Sequence, residues 1–365
     1  MEINKQTQQA GDNSQLVQAQ TVLIQNGITE QRAREIFDEK IAITKRDLTV
    51  EAIAEAHARI NKLEENLIPK MQKIDEGLKS FADPSFQMLL VEAQKSAAST
   101  EREEDYDLLS ELLVKRISSG EDRNERAGIH HAIQIVDNIS SSALQALTLF
   151  HISWMLKPAQ DLKLGLEALN DEYGKFIDLP LPLGADWIEH LDLLRAVRIN
   201  SFGRFPNIED FIVRKCGDFA EVGIKKDSDT YNEAIKLLSS CGLKGTGVFI
   251  DNPILNDYVK INISSKDEIE NLSLHNNIAG RTFVIPLKEA QRSALRTIRD
   301  MYSKDSQLSK QMKDWVVKQW QAFNYLSRFS EWWKQLPISF DITAAGRILA
   351  NANANRIDSS ISKIL

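Results

Sequence analysis

Apolar residues recur at three- and four-residue steps along most of this chain. Ala33, Ile36, Phe37 and Ile41 make the first stripe, from Glu30 onward; Ile53, Ala56, Ile60, Leu63 and Leu67 make the second, behind an N-cap at Thr49. Such a period is one face of an amphipathic helix, and the 3,4 spacing of the second stripe is the seam of a bundle helix. Pro69 removes a backbone donor, yet Met71, Ile74 and Leu78 resume the stripe beyond it, so a kinked helix or two abutting ones is expected. Asp83 followed by Pro84 opens the next helix, and helical segments continue through 101–120, 124–139 and 140–157 to Pro158. The pattern predicts a helical bundle over 29–158.

The texture changes after Pro158. "DLPLPLG" favours an extended linker, because Pro180 and Pro182 resist a helix. A helix over 185–199, the loop "NSFGRFPN", the helix "DTYNEAIKLLSSC" and the short strands "GTGVFIDNP" and "NDYVKINIS" follow. Helix, loop, helix, strand, strand is the order of a winged-helix module. Its second helix would enter a major groove in a DNA reader. Here that helix sets Lys236 against Asp229 and Glu233, behind Asp227, which suits protein contact better than phosphate. Helices are expected from about Pro286 to Tyr302 and from about Ser306 to Leu336, then the strand "ISFDI" and a last helix N-capped by Thr343.

The first 28 residues break from this pattern. Ser14-Gln15-Leu16-Val17-Gln18 echoes Thr21-Val22-Leu23-Ile24-Gln25 at a shift of seven, between the turns "GDN" and "NG". Two short strands are predicted, and a lone ribbon is marginal in water. Strands of other copies are the nearest partners, with glutamines bonding along the assembly axis. Asp12, Asn13, Gln15, Leu16, Val17, Gln18, Val22, Leu23, Ile24 and Gln25 are the candidate oligomerisation residues. The expected architecture is mainly α: a β-forming element over 1–28, a helical bundle over 29–158, a winged-helix-like α+β segment over 159–285 and a C-terminal helical region over 286–365.

A net charge of −7 and a pI near 5.6 argue against wholesale wrapping of nucleic acid. The local exception is "PLKEAQRSALRTIRDMY", where Lys288, Arg292, Arg296 and Arg299 follow 4,4,3 spacing and share a helix face. Like charges at that spacing cost about 0.2–0.5 kcal/mol per pair, so an anion is expected beside them. A phosphate, a lipid headgroup or the acidic run Glu101 to Glu111 would serve. The aromatic segment 314–336 reads as core or protein interface; as an interfacial membrane helix it would turn Lys313, Lys318, Arg328 and Lys334 to lipid.

Catalytic motifs are not recognisable. The six histidines, His57, His130, His131, His151, His190 and His275, include no i,i+4 pair, and HExxH, GxSxG, Walker A and GxGxxG patterns are missing. "GLKGTG" lacks the Lys-Ser/Thr pair of a phosphate loop. Cys216 and Cys241 stand far apart, so no zinc site, disulfide framework or cofactor is expected. No signal peptide and no membrane-spanning run is expected either, which points to the cytoplasm.

The stretches "QQAGDNSQLVQAQTVLIQNGITEQRAREI", "LLSELLVKRISSGEDRNERAGIHHAIQIVDNIS" and "FDITAAGRILANANANR" are similar to a family of uncharacterised bacterial proteins that open with Ala-Gly-Asp-Asn-Ser and glutamine-rich strands. The resemblance supplies no activity and no catalytic residues; opening stretches of this look also occur in phage-defence proteins, an analogy only. The expected function is a non-enzymatic, self-assembling helical interaction protein, a sensor or effector in bacterial immunity. The alternatives are a nucleic-acid- or phosphate-binding regulator using the Lys288 to Arg299 face, and an enzyme whose site is assembled from distant residues.

Overall fold

Short polar residues start several of the helices, and each does so by accepting an orphan backbone N–H. The computed structural model describes residues 28–44, 50–75, 78–119, 122–158, 161–177, 180–245, 247–278 and 281–361; the opening strands lie outside them. Asp83 accepts from Ser85 N at the head of α3 (Pro84–Ser99), Asp122 from Asn124 N and Glu125 N at α5 (Arg123–Ile135), and Ser140 from Ala143 N at α6 (Ser141–Met155). Before them run α1 (Glu30–Thr44) and α2 (Val50–Ile74). Helix α2 continues through Pro69 as one element, with Leu67, Ile68 and Met71 buried around it.

The acidic run lies on α4 (Glu103–Ser118) and its preceding loop, facing the cations of α2. Glu103 pairs with Lys62, Asp107 and Glu111 with Lys70, and Glu101 with Arg59. Asp105 is fully buried and holds Arg102, whose guanidinium also donates to the carbonyls of Val136 and Ile139. The run is therefore occupied as an inter-helix seam, and the macrodipole is a secondary reason for it.

The body continues through α7 (Leu162–Ile177), α8 (Asp186–Leu193), β1 (Val197–Asn200) and α9 (Ile208–Cys216). Later in the chain come α12 (Ser306–Gln321), α13 (Asn324–Lys334), β7 (Ser339–Ile342) and α14 (Ala344–Ile357). The single long aromatic helix expected over 306–336 is two, broken at Ala322-Phe323, because the Trp320 indole turns back to donate to Leu326 O and Ser330 Oγ. Trp320, Trp332 and Trp333 are buried, so this segment is core. The Pro-rich stretch is no free spacer: Trp332 Nε1 donates to Pro182 O, and Leu181 packs on the same core.

Strands β1 and β7 pair antiparallel, Val197 opposite Ile342 and Asn200 opposite Ser339. One hydrophobic core runs from Ala33 to Ala220 and resumes from Val316 to Ile361, crossing Pro158 without interruption through Leu156, Leu162 and Leu166. A second, smaller core lies between Ile224 and Tyr302. It is built by β2 (Ile224–Lys225), α10 (Asp229–Ser240), β3 (Phe249–Asp251), β4 (Tyr258–Ile261) and α11 (Glu289–Asp300), with an antiparallel sheet in the order β2-β4-β3. A separate ribbon joins β5 (Ser273–Ile278) to β6 (Arg281–Pro286). Among the described residues no helix is long and apolar enough to cross a membrane.

Gly346 holds the two ends of the body together. A Cβ there would lie 2.0 Å from Ala196 O and 2.9 Å from a methyl of Ile342. Gly346→Ala should lower stability by about 1–3 kcal/mol or more, through overpacking against backbone that cannot rotate away. Urea unfolding at constant m-value measures it; a loss under about 0.5 kcal/mol would contradict this packing.

Candidate functional site

Of the sequence-selected residues, those of the opening stretch lie outside the described part of the chain, and the basic face of α11 is in place but occupied. Arg299 forms a two-pronged pair with Asp218, Nε to Oδ2 at 2.8 Å and Nη2 to Oδ1 at 2.7 Å. Arg296 is held by Glu270 at 2.6 Å and Glu289 at 2.8 Å, and Arg292 reaches Glu289 at 3.4 Å. Lys288, exposed at the start of the helix, donates its backbone N–H to Gln291 Oε1. The anion beside this face is supplied by the module itself and by Asp218, and not by the acidic run on α4.

The histidines are placed by hydrogen bonds. His151 Nε2 meets Asn351 Oδ1 at 2.8 Å, His131 Nε2 meets Leu194 O, and His190 Nε2 accepts from Ser140 N. Burial holds His151 below the ordinary imidazole value. The glycines of "GLKGTG" belong to the turn from α10 to β3, where Gly242, Gly245 and Gly247 have positive φ. No group of three or more His, Cys, Asp or Glu side chains among the described residues could hold a metal ion.

A series of clefts follows α9. A cleft of about 610 Å³ lies at its N-terminus, between the loop carrying Arg204 and Phe205 and the turn from Trp333 to Ser339. Glu209 leads into a second cleft of about 490 Å³ between α9 and α12, where Lys310, Lys313 and Lys318 converge. Val213, Ser309 and Lys313 also line a third, of about 400 Å³, bounded by Arg214, Glu221 and Arg299. The three share lining residues and so form one groove. Arg204, Arg214, Lys310, Lys313 and Lys318 have no ion-pair partner among the described residues, and neither do Glu209, Asp210 and Asp314. Phe202, on the turn at the groove's first cleft, is fully solvent-exposed.

Two buried lysines flank the 3₁₀ turn Gly217–Ala220 that follows α9. Lys260, on β4 and 2% exposed, donates to the carbonyls of Asp218 and Phe219. Lys215, 6% exposed, donates to Leu156 O and lies over the rings of Phe211 and Trp154. Burial pushes Lys215 down to about 7, with Lys157 adding repulsion, and Lys260 down to about 8 against the pull of Asp218 and Glu221. Burial also pushes the Cys216 thiol up to about 12 and raises Tyr302 and Tyr173. Nothing in a single sequence marks Lys215 or Lys260 as buried. Of the α12 lysines, Lys313 and Lys318 entered the sequence reading as residues an interfacial helix would turn to lipid, and Lys310 carried no signal.

A protein-family model described only as a "-like" family matches residues 27–363 of the chain. No curated protein and no solved structure matches it.

The buried lysines carry a pH dependence. From about pH 7 to 9 an unfolded lysine keeps its proton while Lys215 has shed its own, so the unfolded chain binds more protons and stability rises with pH. Each such lysine contributes up to about 1.4 kcal/mol per pH unit. Lys215→Met should raise stability at pH 7 and flatten the rise between pH 7 and 9 by about half, Lys260 supplying the rest. Urea midpoints across that range test this; an unchanged slope would show that Lys215 keeps its charge in the fold.

Proposed function

The chain belongs to the family matched over residues 27–363, and we propose that it is a non-enzymatic, self-assembling α-helical interaction protein of the bacterial cytoplasm. The observation that carries this reading is the β5–β6 ribbon. Its two six-residue strands pair with each other and with no other strand among the described residues. Val284 is 59% and Ile285 47% exposed, while Leu272 and Leu274, across from that end of β6, pack against the smaller core. A two-stranded ribbon whose outer edges pair with no other described strand is a template for further strands. The natural donors are the short strands expected at Ser14–Gln18 and Thr21–Gln25 of a neighbouring copy, with Asp12 and Asn13 in the turn before them.

The strand order β2-β4-β3, with α10 between β2 and β3, supports a winged-helix-like reading of the smaller core. Exposed Asp229 and Glu233 on α10 suit a protein partner rather than a nucleic acid. A role as sensor or effector in antiviral defence rests on the analogy of the opening stretch alone.

Light scattering after size exclusion tests the assembly. The full chain should exceed the mass of one 41.3 kDa copy. A chain starting at Ile28 should fall to a lower state with its helical circular dichroism nearly unchanged, and Val284→Lys should weaken assembly in the full chain. Equal mass per particle for the full and shortened chains would refute the reading; assembly insensitive to Val284→Lys would remove the ribbon as acceptor.

A further inference from the structure

We infer that the cleft at the C-terminal end of α9, between Arg214, Arg299 and Lys313, is a binding site for a phosphate group. Its walls come from α9, the turn after it, α11 and α12. Arg214 and Lys313 are exposed and free of ion pairs. Arg299 is the fixed member. Asp218, 1% exposed, takes its Nε and one Nη2 hydrogen, which locks the guanidinium plane at the cleft wall. The Nη1 donors of Arg299 remain without a partner, and an arginine held in this way binds a phosphate with little further loss of side-chain freedom. Ser309, on the same wall, adds a hydroxyl.

The electrostatics favour an anion over a neutral ligand. Glu221, 3.6 Å from Arg299, is the one carboxylate in the lining. Asp218 is spent on Arg299, and the buried ammonium of Lys260 stands against the carbonyls of Asp218 and Phe219 directly behind the wall. Three cations of the lining and the buried Lys260 behind it thus stand against two carboxylates, Glu221 and Asp218, in a chain whose net charge is −7. A wall of low polarisability strengthens this field at the cleft. The site is distinct from the Lys288 to Arg296 face, whose arginines are satisfied by Glu270 and Glu289, and its volume of about 400 Å³ admits a phosphate with part of the group that bears it. The neighbouring lysines Lys310 and Lys318 continue the cationic lining along the groove.

Titration calorimetry on the full chain with inorganic pyrophosphate is the test. Binding should weaken as salt is raised, and Arg214→Gln with Lys313→Gln should weaken it by about tenfold or more. Lys244→Gln, an exposed lysine on the turn after α10, should leave it unchanged. A single-stranded oligonucleotide distinguishes the source of the phosphate. If it binds and pyrophosphate displaces it, the site reads a phosphodiester backbone; if only pyrophosphate binds, a small phosphorylated molecule. No binding of either up to about 10 mM, binding indifferent to the double substitution, or capture of poly-glutamate with no response to pyrophosphate, would each overturn the assignment. The chain starting at Ile28 should give the same result, which separates this site from assembly.

Discussion

The return of the last helix into the first bundle is the interaction on which the body depends. Helix α14 packs against α4, α5 and α6, more than two hundred residues earlier in the chain. Its position is set at its first turn: Thr343 N donates to Ala196 O, its hydroxyl lies 2.8 and 2.9 Å from the carbonyls of Arg195 and Ala196, and the same oxygen caps Gly346 N. Those bonds also hold Arg195 at a φ of 57°, a conformation a side chain rarely adopts unaided. Beyond the cap, small residues let the helices approach, and two polar residues among them pair across the contact: Asn353 donates to Thr148 Oγ1, and Asn351 meets His151. Paired polar groups inside a core select one register of packing, since a shifted helix would leave them unsatisfied.

Charge does the corresponding work between the two cores. Asp218 belongs to the turn after α9, on the body, and receives Arg299 from α11, on the smaller module; Lys260 of β4 reaches the carbonyls beside it. Removing Arg299 would strand the buried Asp218 carboxylate, and removing Lys260 would leave two buried carbonyls without their donor; the first loss is far larger than the net gain of the intact pair. The same arrangement leaves an excess of positive charge at the surface of that turn. The groove along α9 borders this junction, and an otherwise acidic protein carries several unpaired cations there.

Much of the helical architecture was legible in sequence because it is local. The stripes of α1 and α2, the Asp83-Pro84 start and the Thr343 cap all depend on residues within a few positions of one another. Where two local signals conflicted, the packing arbitrated. Pro69 is tolerated inside α2 because both sides of it are anchored in the core, whereas the helical pattern across 306–336 is interrupted because Trp320 finds better partners after a turn. The Pro-rich segment after α7 carried the composition of a spacer, and a single indole hydrogen bond from α13 makes it part of the body.

The basic face of α11 shows where such reading stops. Its spacing determined that four cations share one side of a helix and that anions must lie near; Glu289 comes from the helix itself, whereas Glu270, on the 3₁₀ turn Lys266–Asn271, and Asp218, on the turn after α9, are brought to it by the fold. The groove cations Arg204, Arg214, Lys310, Lys313 and Lys318 come from three separate segments and are ordinary surface residues in sequence. Sequence alone determined most of the helices, several of their caps and the amphipathic faces, because period and capping act over one or two turns; where α8 gives way to β1, and where α12 ends, was decided by packing. The tertiary structure alone decided which charges are spent and which are left free, because desolvation and ion pairing depend on neighbours that the chain brings together from far apart.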